Sequence, residues 1–309
     1  MIATTGFFDG VHLGHRLVIE RLVSLARERG DESLVVTFWP HPRAVLQDGA
    51  RELRLLNTLD EKKDLLTALG VDRIEVLDFT RSFAALTACE YLTLLRDRFA
   101  VTTLLMGYDN RVGSDRLTAS ALRTVSEEIG IELLELEPVE LEPSGPPSYV
   151  AEGGHRFADV HPSLTPVSST KIRKCLEEGD LEESAGMLGY GYCLKGVVVA
   201  GNRLGRTIGF PTANMKLYEP LKLVPGRGVY VVEVEVLGRK FRGMTNIGQR
   251  PTVGGTFTTI ETHILDFDED IYGLPLQVTF LRRLRDEVYF PSLEALKDQL
   301  EKDRESCRE

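Results

Sequence analysis

The sequence predicts an α/β plus β protein: a doubly wound α/β domain first, then a small antiparallel β-barrel with a terminal helix. Three observations lead there. Through Leu136, short apolar runs alternate with amphipathic stretches, the β-α-β-α-β rhythm of an open parallel sheet. After Gly189 the texture changes to closely spaced strand-like runs separated by glycine-bearing turns. At 309 residues the chain is also long for a single core. The expected domains are residues 1–186 and 187–309.

Met1–Thr5 is enough for one short strand. It runs into Gly6-Phe7-Phe8-Asp9-Gly10-Val11-His12-Leu13-Gly14-His15, followed by an amphipathic helix over Leu17–Arg29 that Gly30 ends. Strand, glycine-bearing turn and helix start together aim free backbone N–H groups at a phosphate. His12 and His15, at i and i+3, share one face, and Gly14 between them admits close approach of a ligand. Paired imidazoles at a helix N-terminus suit charge that builds on an α-phosphate under attack. A solvated turn is the plain alternative.

Ser33–Phe38, apolar and β-branched, reads as a buried parallel strand. Behind it, Trp39-Pro40-His41-Pro42-Arg43 forms a stiff loop at a strand's carboxyl end, where open α/β sheets bind ligands. The same residues also serve simply to close a core edge. A helix near Leu59–Leu69, a strand over Ile74–Phe79, a helix near Ala88–Arg98 and a strand over Thr103–Met106 continue the alternation. The polar loop Gly107-Tyr108-Asp109-Asn110-Arg111-Val112-Gly113 reads as an anion site or as a solvated connection. Leu117–Gly130 and Ile131–Leu136 give a further helix and strand, and Pro138–Pro166 reads as loops.

Val167-Ser168-Ser169-Thr170-Lys171-Ile172-Arg173 then opens a helix. Ser or Thr caps it, and Lys171 and Arg173 place cations where the helix dipole disfavours them. An anion held between them is one reason for that placement; solvated basic residues are the other.

In the second half, strands are expected over 192–200, 228–237, 239–247, 258–266 and 276–281. A last helix near Ser292–Arg304 carries Leu293, Leu296 and Leu300 on one stripe. Gly201-Asn202-Arg203-Leu204-Gly205-Arg206-Thr207-Ile208-Gly209 is glycine-rich but matches neither the Walker loop nor the dinucleotide fingerprint. Phe210-Pro211-Thr212-Ala213-Asn214 follows, and a hydroxyl and an amide oxygen so spaced can share a hard cation. A hairpin with a stiff corner uses the same residues. Glu261 points opposite Ile260 and Ile264; strand charges ordinarily face solvent.

Composition narrows the class. A formal charge of −10 argues against a general nucleic-acid or anionic-membrane surface. No apolar run is long enough to span a membrane, and the first residues read as strand rather than signal peptide. The four cysteines are scattered without a Cys-x-x-Cys, which fits a reducing cytoplasm better than a disulfide framework or a zinc site.

His12-Leu13-Gly14-His15 after a first strand resembles the signature of the nucleotidylyltransferase superfamily, whose domains are Rossmann-like. The longer Gly6–His15 stretch resembles its bacterial riboflavin kinase/FAD synthetase branch. Ser168-Ser169-Thr170-Lys171-Ile172-Arg173 is similar to the segment that closes the triphosphate site in such enzymes. The glycine-rich loop with Pro211-Thr212-Ala213-Asn214 is similar to the ATP and magnesium loop of riboflavin kinases. Gly243–Thr252 resembles the family's Asn-Ile-Gly-x-x-Pro-Thr turn. Departures are Val112, where the family's loop usually has Phe, and Phe7, where it often has Asn.

The resemblance implies the substrates ATP, riboflavin and FMN, the product FAD, and Mg²⁺ in both steps, with no nucleic acid or membrane partner. For adenylyl transfer it implies catalysis by His12, His15 and Arg173. ATP contacts would come from Gly6, Phe7, Asp9, Gly14, Asp109, Arg111 and Ser168 through Lys171. Flavin contacts would come from Phe38, Pro40, His41, Pro42 and Tyr108. For the kinase it implies Gly201, Arg203, Gly205, Arg206 and Gly209 on ATP, Thr212 and Asn214 on the metal, Glu261 as base and Arg285 on flavin. Other readings are a chain with one activity decayed and a flavin- or nucleotide-binding regulator.

Overall fold

The computed structural model describes residues 1–46, 53–107, 111–136, 167–201, 204–252 and 255–308, in two compact units, Met1–Ser168 and Ser169–Glu309. Tyr108, Asp109 and Arg203 lie outside the described residues.

The first unit runs β1 (Ile2–Thr5), α1 (Leu13–Arg29), β2 (Ser33–Trp39), α2 (Pro42–Leu46), α3 (Leu59–Ala68), β3 (Arg73–Asp78), α4 (Arg81–Ala84), α5 (Ala88–Phe99), β4 (Thr103–Met106), α6 (Ala119–Ile129) and β5 (Glu132–Glu135). Its sheet is parallel in the order β3-β2-β1-β4-β5. All of β1 is buried, and its residues alternate between two apolar layers. Ala3 packs with Leu34, Leu92, Leu95 and Leu104; Ile2 packs with Ile19, Leu22, Val35 and Leu66 on the other face. Burial on both sides explains the nearly unbroken apolar runs of these strands. Capping boxes start α3, through Thr58 and Glu61, and α5, through Thr87 and Glu90. Such caps stabilise each helix by about 1 kcal/mol. Chain order steps outward from β1 through β2 to β3, then crosses to β4. The carboxyl ends of β1 and β4 therefore flank the topological switch point.

The second unit runs α7 (Ser169–Glu178), α8 (Leu181–Leu188), β6 (Cys193–Val199), α9 (Leu204–Thr207), β7 (Ala213–Leu217), β8 (Gly228–Val236), β9 (Arg239–Thr252), β10 (Gly255–Ile264), β11 (Pro275–Arg285) and α10 (Leu293–Ser306). The strands close into an antiparallel barrel in the order β10-β7-β6-β11-β8-β9. Closure pairs every strand edge. Tyr230 and Phe280 meet edge-to-face in its core, ring centroids 5.3 Å apart.

The barrel has one strand more than the sequence predicts, because β7 is only five residues long and hides within the Pro-Thr-Ala-Asn stretch. The helices α7 and α8 belong to the second unit. The Gly226 N–H donates to the Leu176 carbonyl at 2.8 Å, and Gly179 lies directly against the Arg283 side chain.

Candidate functional site

In the α/β unit the turn between β1 and α1 is tightly wound: Phe8, Gly10 and Val11 all have positive φ, at 53°, 87° and 36°. For a β-branched residue such as Val11 that is a strained conformation. It places His12 as the N-cap of α1, with its Nδ1 accepting the His15 N–H at 3.3 Å. The helix therefore begins at Leu13, ahead of the expected Leu17. The His12 and His15 rings stack at 3.6 Å, inclined by 14°. Gly14 faces the His12 ring, 3.3 Å from where its Cβ would stand. The Phe8 ring packs under Gly6 and meets His15 edge-on at 5.3 Å.

Burial, the neighbouring His12 and the charge of Lys62 hold His15 well below the ordinary histidine range. Its Nδ1 is buried without a hydrogen-bond partner. A buried polar atom left unpaired costs roughly 1–3 kcal/mol, so it calls for an occupant.

Asp9 is spent on structure: its buried carboxylate accepts the backbone N–H groups of Leu56 at 3.0 Å and Asn57 at 3.2 Å. The Phe7 ring lies 3.9 Å from the Lys62 ammonium and 4.1 Å from the tilted His41 ring. The His41 Nδ1 accepts the Arg43 N–H at 3.0 Å, and Pro42 opens α2. Phe38 joins an aromatic cluster with Phe79 and Phe83, while Pro40 is exposed. Arg111 is exposed after β4 at the switch point, and Val112 is buried in the core where a larger ring would need more room.

In the second unit Ser169 opens α7; Arg173 is half-buried, and Lys171 pairs with Glu183 at 3.0 Å. The barrel residues converge. A cavity of about 260 Å³ is lined by the polar side chains of Thr212, Asn214, Asn246, Arg250, Glu261 and His263. Apolar side chains line it as well, among them Ile208, Phe210, Val288, Phe290, Leu296 and Leu300. Asn214 on β7 stands directly opposite Glu261 on β10. Glu261 ion-pairs with Arg250 at 2.5 Å.

Gly201 makes that arrangement possible, since a Cβ there would fall 2.2 Å from the Asn214 amide nitrogen. Gly205 lines the cavity, whereas Arg206 and Gly209 are exposed on the loop behind it. His263 anchors the Pro211–Asn214 segment: its Nδ1–H donates to the Pro211 carbonyl at 2.8 Å. Burial keeps His263 below the usual histidine range despite that bond.

Arg285 lines the cavity, but its guanidinium is committed to Asp303 of α10, with contacts of 2.7 to 3.1 Å. Asp303 is buried and also accepts from Gln299 at 2.9 Å. The clamp seats α10, whose Leu296 and Leu300 wall the cavity. A larger, more open cavity of about 590 Å³, bordered by Glu177, Arg227, Gln249 and Arg283, holds none of the expected site residues.

Sequence reasoning missed Lys62, Arg250 and His263. Lys62 had a readable signal: it falls with Leu66 and Leu69 at i, i+4 and i+7, on the buried stripe of α3. Arg250 and His263 are placed by cross-strand register, which one sequence does not disclose.

Paired imidazoles at the switch point of a doubly wound sheet, and a barrel cavity joining hydroxyl, amide and carboxylate to an apolar slot, define a two-centre, nucleotide-using enzyme. Comparison with known proteins agrees with this class for both units. The FAD synthetase family model matches residues 1–145 and the riboflavin kinase model residues 188–309. The bifunctional riboflavin kinase/FMN adenylyltransferase of Listeria monocytogenes is 33% identical over 99% of this chain and 91% of its own length. That of Escherichia coli K12 is 36% identical over 100% and 92%. A Streptococcus pneumoniae crystal structure described as a macrolide-efflux protein superposes with a TM-score of 0.85 at 33% identity, covering 99% of this chain and 93% of its own. No helix among the described residues is long and apolar enough to cross a membrane. The chain belongs to the bifunctional riboflavin kinase/FMN adenylyltransferase family.

Proposed function

We propose that residues 187–309 phosphorylate riboflavin to FMN and that residues 1–186 adenylylate FMN to FAD, as the family's two named activities require. The observation that carries the kinase half is the convergence of Thr212, Asn214 and Glu261 on one cavity that apolar side chains also line. The flavin ring occupies the slot of Phe290, Leu296 and Leu300. Glu261 accepts the proton of the riboflavin 5′-hydroxyl as its oxygen bonds to the γ-phosphorus and the bond to ADP breaks. Arg250 keeps the carboxylate aimed until substrate arrives.

Among the described residues no cluster of three or more His, Cys, Asp or Glu forms a ready metal cage. Thr212 and Asn214 instead offer neutral oxygens, the donors a hard cation combines with ATP phosphates. They would hold Mg²⁺, which supplies charge neutralisation when bound. Gly201, Gly205, Arg206 and Gly209 are assigned to ATP by the glycine-rich motif they match, and Arg203 of that motif lies outside the described residues.

For the second reaction, an FMN phosphate oxygen attacks the α-phosphorus of another ATP and pyrophosphate leaves. His12 and His15 donate to the α-phosphate, and the unpartnered His15 Nδ1 is the observation that supports them. Gly6, Phe7, Gly14 and Arg111 border the nucleotide, while Asp9 shapes the turn. Asp109, Ser168, Ser169, Thr170, Lys171 and Arg173 are assigned to ATP by the motifs they match. Phe38, Pro40, His41, Pro42 and Tyr108 are assigned to flavin. The acidic balance and the free cysteines support a cytoplasmic setting and the absence of a nucleic-acid partner.

Labelled ATP tests both halves. A γ-phosphate label should enter FMN and persist in FAD, and an α-phosphate label should enter FAD alone. Absence of γ label from FMN overturns the kinase half; absence of α label from FAD overturns the other.

A further inference from the structure

The turn bearing the paired histidines rests on a buried cation. Lys62 is only 1% exposed, although lysine is among the residues least often fully buried. Its ammonium donates to the Phe7 carbonyl at 2.8 Å and to the Thr37 hydroxyl at 3.0 Å. It also lies 3.9 Å from the centre of the Phe7 ring. One side chain from α3 thus ties the end of β1 to β2, at the carboxyl edge of the sheet where the strained turn begins.

We propose that Lys62 is a positioning residue of the adenylyl-transfer site, acting through the Phe7 carbonyl and through the field of its ammonium on His15. The inference rests on the assignment of His12 and His15 to adenylyl transfer.

A hydrophobic side chain would fill the same space without the desolvation cost of a charge, so packing does not explain a lysine. The ammonium's hydrogen bonds do: Phe7 stands two residues before Asp9 and five before His12, and its carbonyl orientation sets the turn that follows. The charged groups around this point are Asp9 from the turn, His12 and His15 from α1, His41 across the Phe7 ring, and Lys62 itself from α3. Burial pushes the Lys62 ammonium down to about 8, with Asp9 opposing, so it remains cationic at neutral pH. Together with burial and His12, that cation disfavours a second positive charge on His15. His15 then meets the nucleotide as a neutral imidazole, and the fixed charge of the site stays on Lys62. A neutral imidazole still donates one N–H to a phosphate oxygen, and it sits in the buried site without the desolvation cost of a second charge.

The test uses the full chain with Lys62→Met and Lys62→Arg, and His15→Ala as a control. Loss of FAD formation in His15→Ala establishes the site; retention of it would sink the underlying assignment without touching Lys62. Given an active site there, Lys62→Met should lower kcat for FMN-to-FAD conversion about tenfold to a hundredfold. Riboflavin-to-FMN conversion in the same preparation should stay within about twofold, because that reaction belongs to the other unit. The His15 imidazole, followed by NMR in histidine-labelled protein, should titrate at higher pH than in the parent chain. The acid limb of the FAD-forming pH profile should move with it. Lys62→Arg, which keeps the cation, should leave the His15 titration near its parent position. Normal FAD formation by Lys62→Met overturns the proposal. So does a loss of activity with the His15 titration unmoved, which would mark Lys62 as structural. If Lys62→Met does not fold, an Arg variant that moves the His15 titration upward overturns it equally.

Discussion

Replacing Glu261 with Gln removes the negative charge from the barrel cavity while keeping the side chain's size. In the structure the carboxylate pairs with Arg250 at 2.5 Å and stands opposite Asn214. The side chains of that pair are 39% and 20% exposed, so solvent screens it, and its loss should cost at most about 1 kcal/mol of stability. For a unit of this size that is a melting shift of roughly 2–4 °C. The chemical loss is larger. A positioned general base contributes about 10²–10⁴-fold, or roughly 3–5 kcal/mol at 1.36 kcal/mol per decade. The variant should therefore remain folded while riboflavin phosphorylation falls by two to four decades on that scale. FMN supplied directly should still become FAD at the parent rate. The assay is separate initial-rate measurement with riboflavin and with FMN. A kinase rate within about threefold of the parent would refute the assignment of Glu261 as base, since that is under 1 kcal/mol of transition-state stabilisation.

Gly201→Ala places a methyl group 2.2 Å from the Asn214 amide nitrogen and must displace it. Kinase activity should fall about tenfold or more while FMN-to-FAD conversion is unchanged, read by the same paired rates. Asp303→Ala leaves the Arg285 guanidinium without its buried partner, a change that costs about 3–5 kcal/mol. Because α10 walls the cavity, KM for riboflavin should rise as thermal stability drops, measured by saturation kinetics and melting of the same sample. Stability should also fall in mild acid. His15 and His263 are both held below the ordinary value of 6.5 by burial, so the unfolded chain binds protons that the native chain refuses. Their contribution is complete above about pH 6.5 and is lost as pH falls through the lowered values. Denaturant midpoints from about pH 8 to about pH 5 should decline on the acid side, less steeply in His15→Ala.

Much of this was legible in the residues because local chemistry determined it. The parallel sheet announced itself through apolar runs buried on both faces, and α1 through Gly30 at its end. Glu261 and Asn214 could each be picked from a motif, but their meeting across β10 and β7 depends on barrel closure, a long-range pairing. Asp9 and Arg285 show the limit from the other side. Both carry the charge expected of ligand contacts, yet one spends it on the backbone of Leu56 and Asn57, the other on Asp303. Such commitments arise from partners 47 and 18 positions away, so spacing does not reveal them. Lys62 lay in plain view on an apolar stripe, where a charge breaks the pattern and therefore carries information.

The central claim is that one chain carries riboflavin through to FAD by two separate transfers. Its most direct test is a time course of the purified chain with riboflavin, excess ATP and Mg²⁺, resolved by chromatography into riboflavin, FMN and FAD. FMN should appear first and FAD should follow at its expense, with no conversion when Mg²⁺ is withheld. FMN that accumulates without FAD, or riboflavin that persists unchanged, would contradict it.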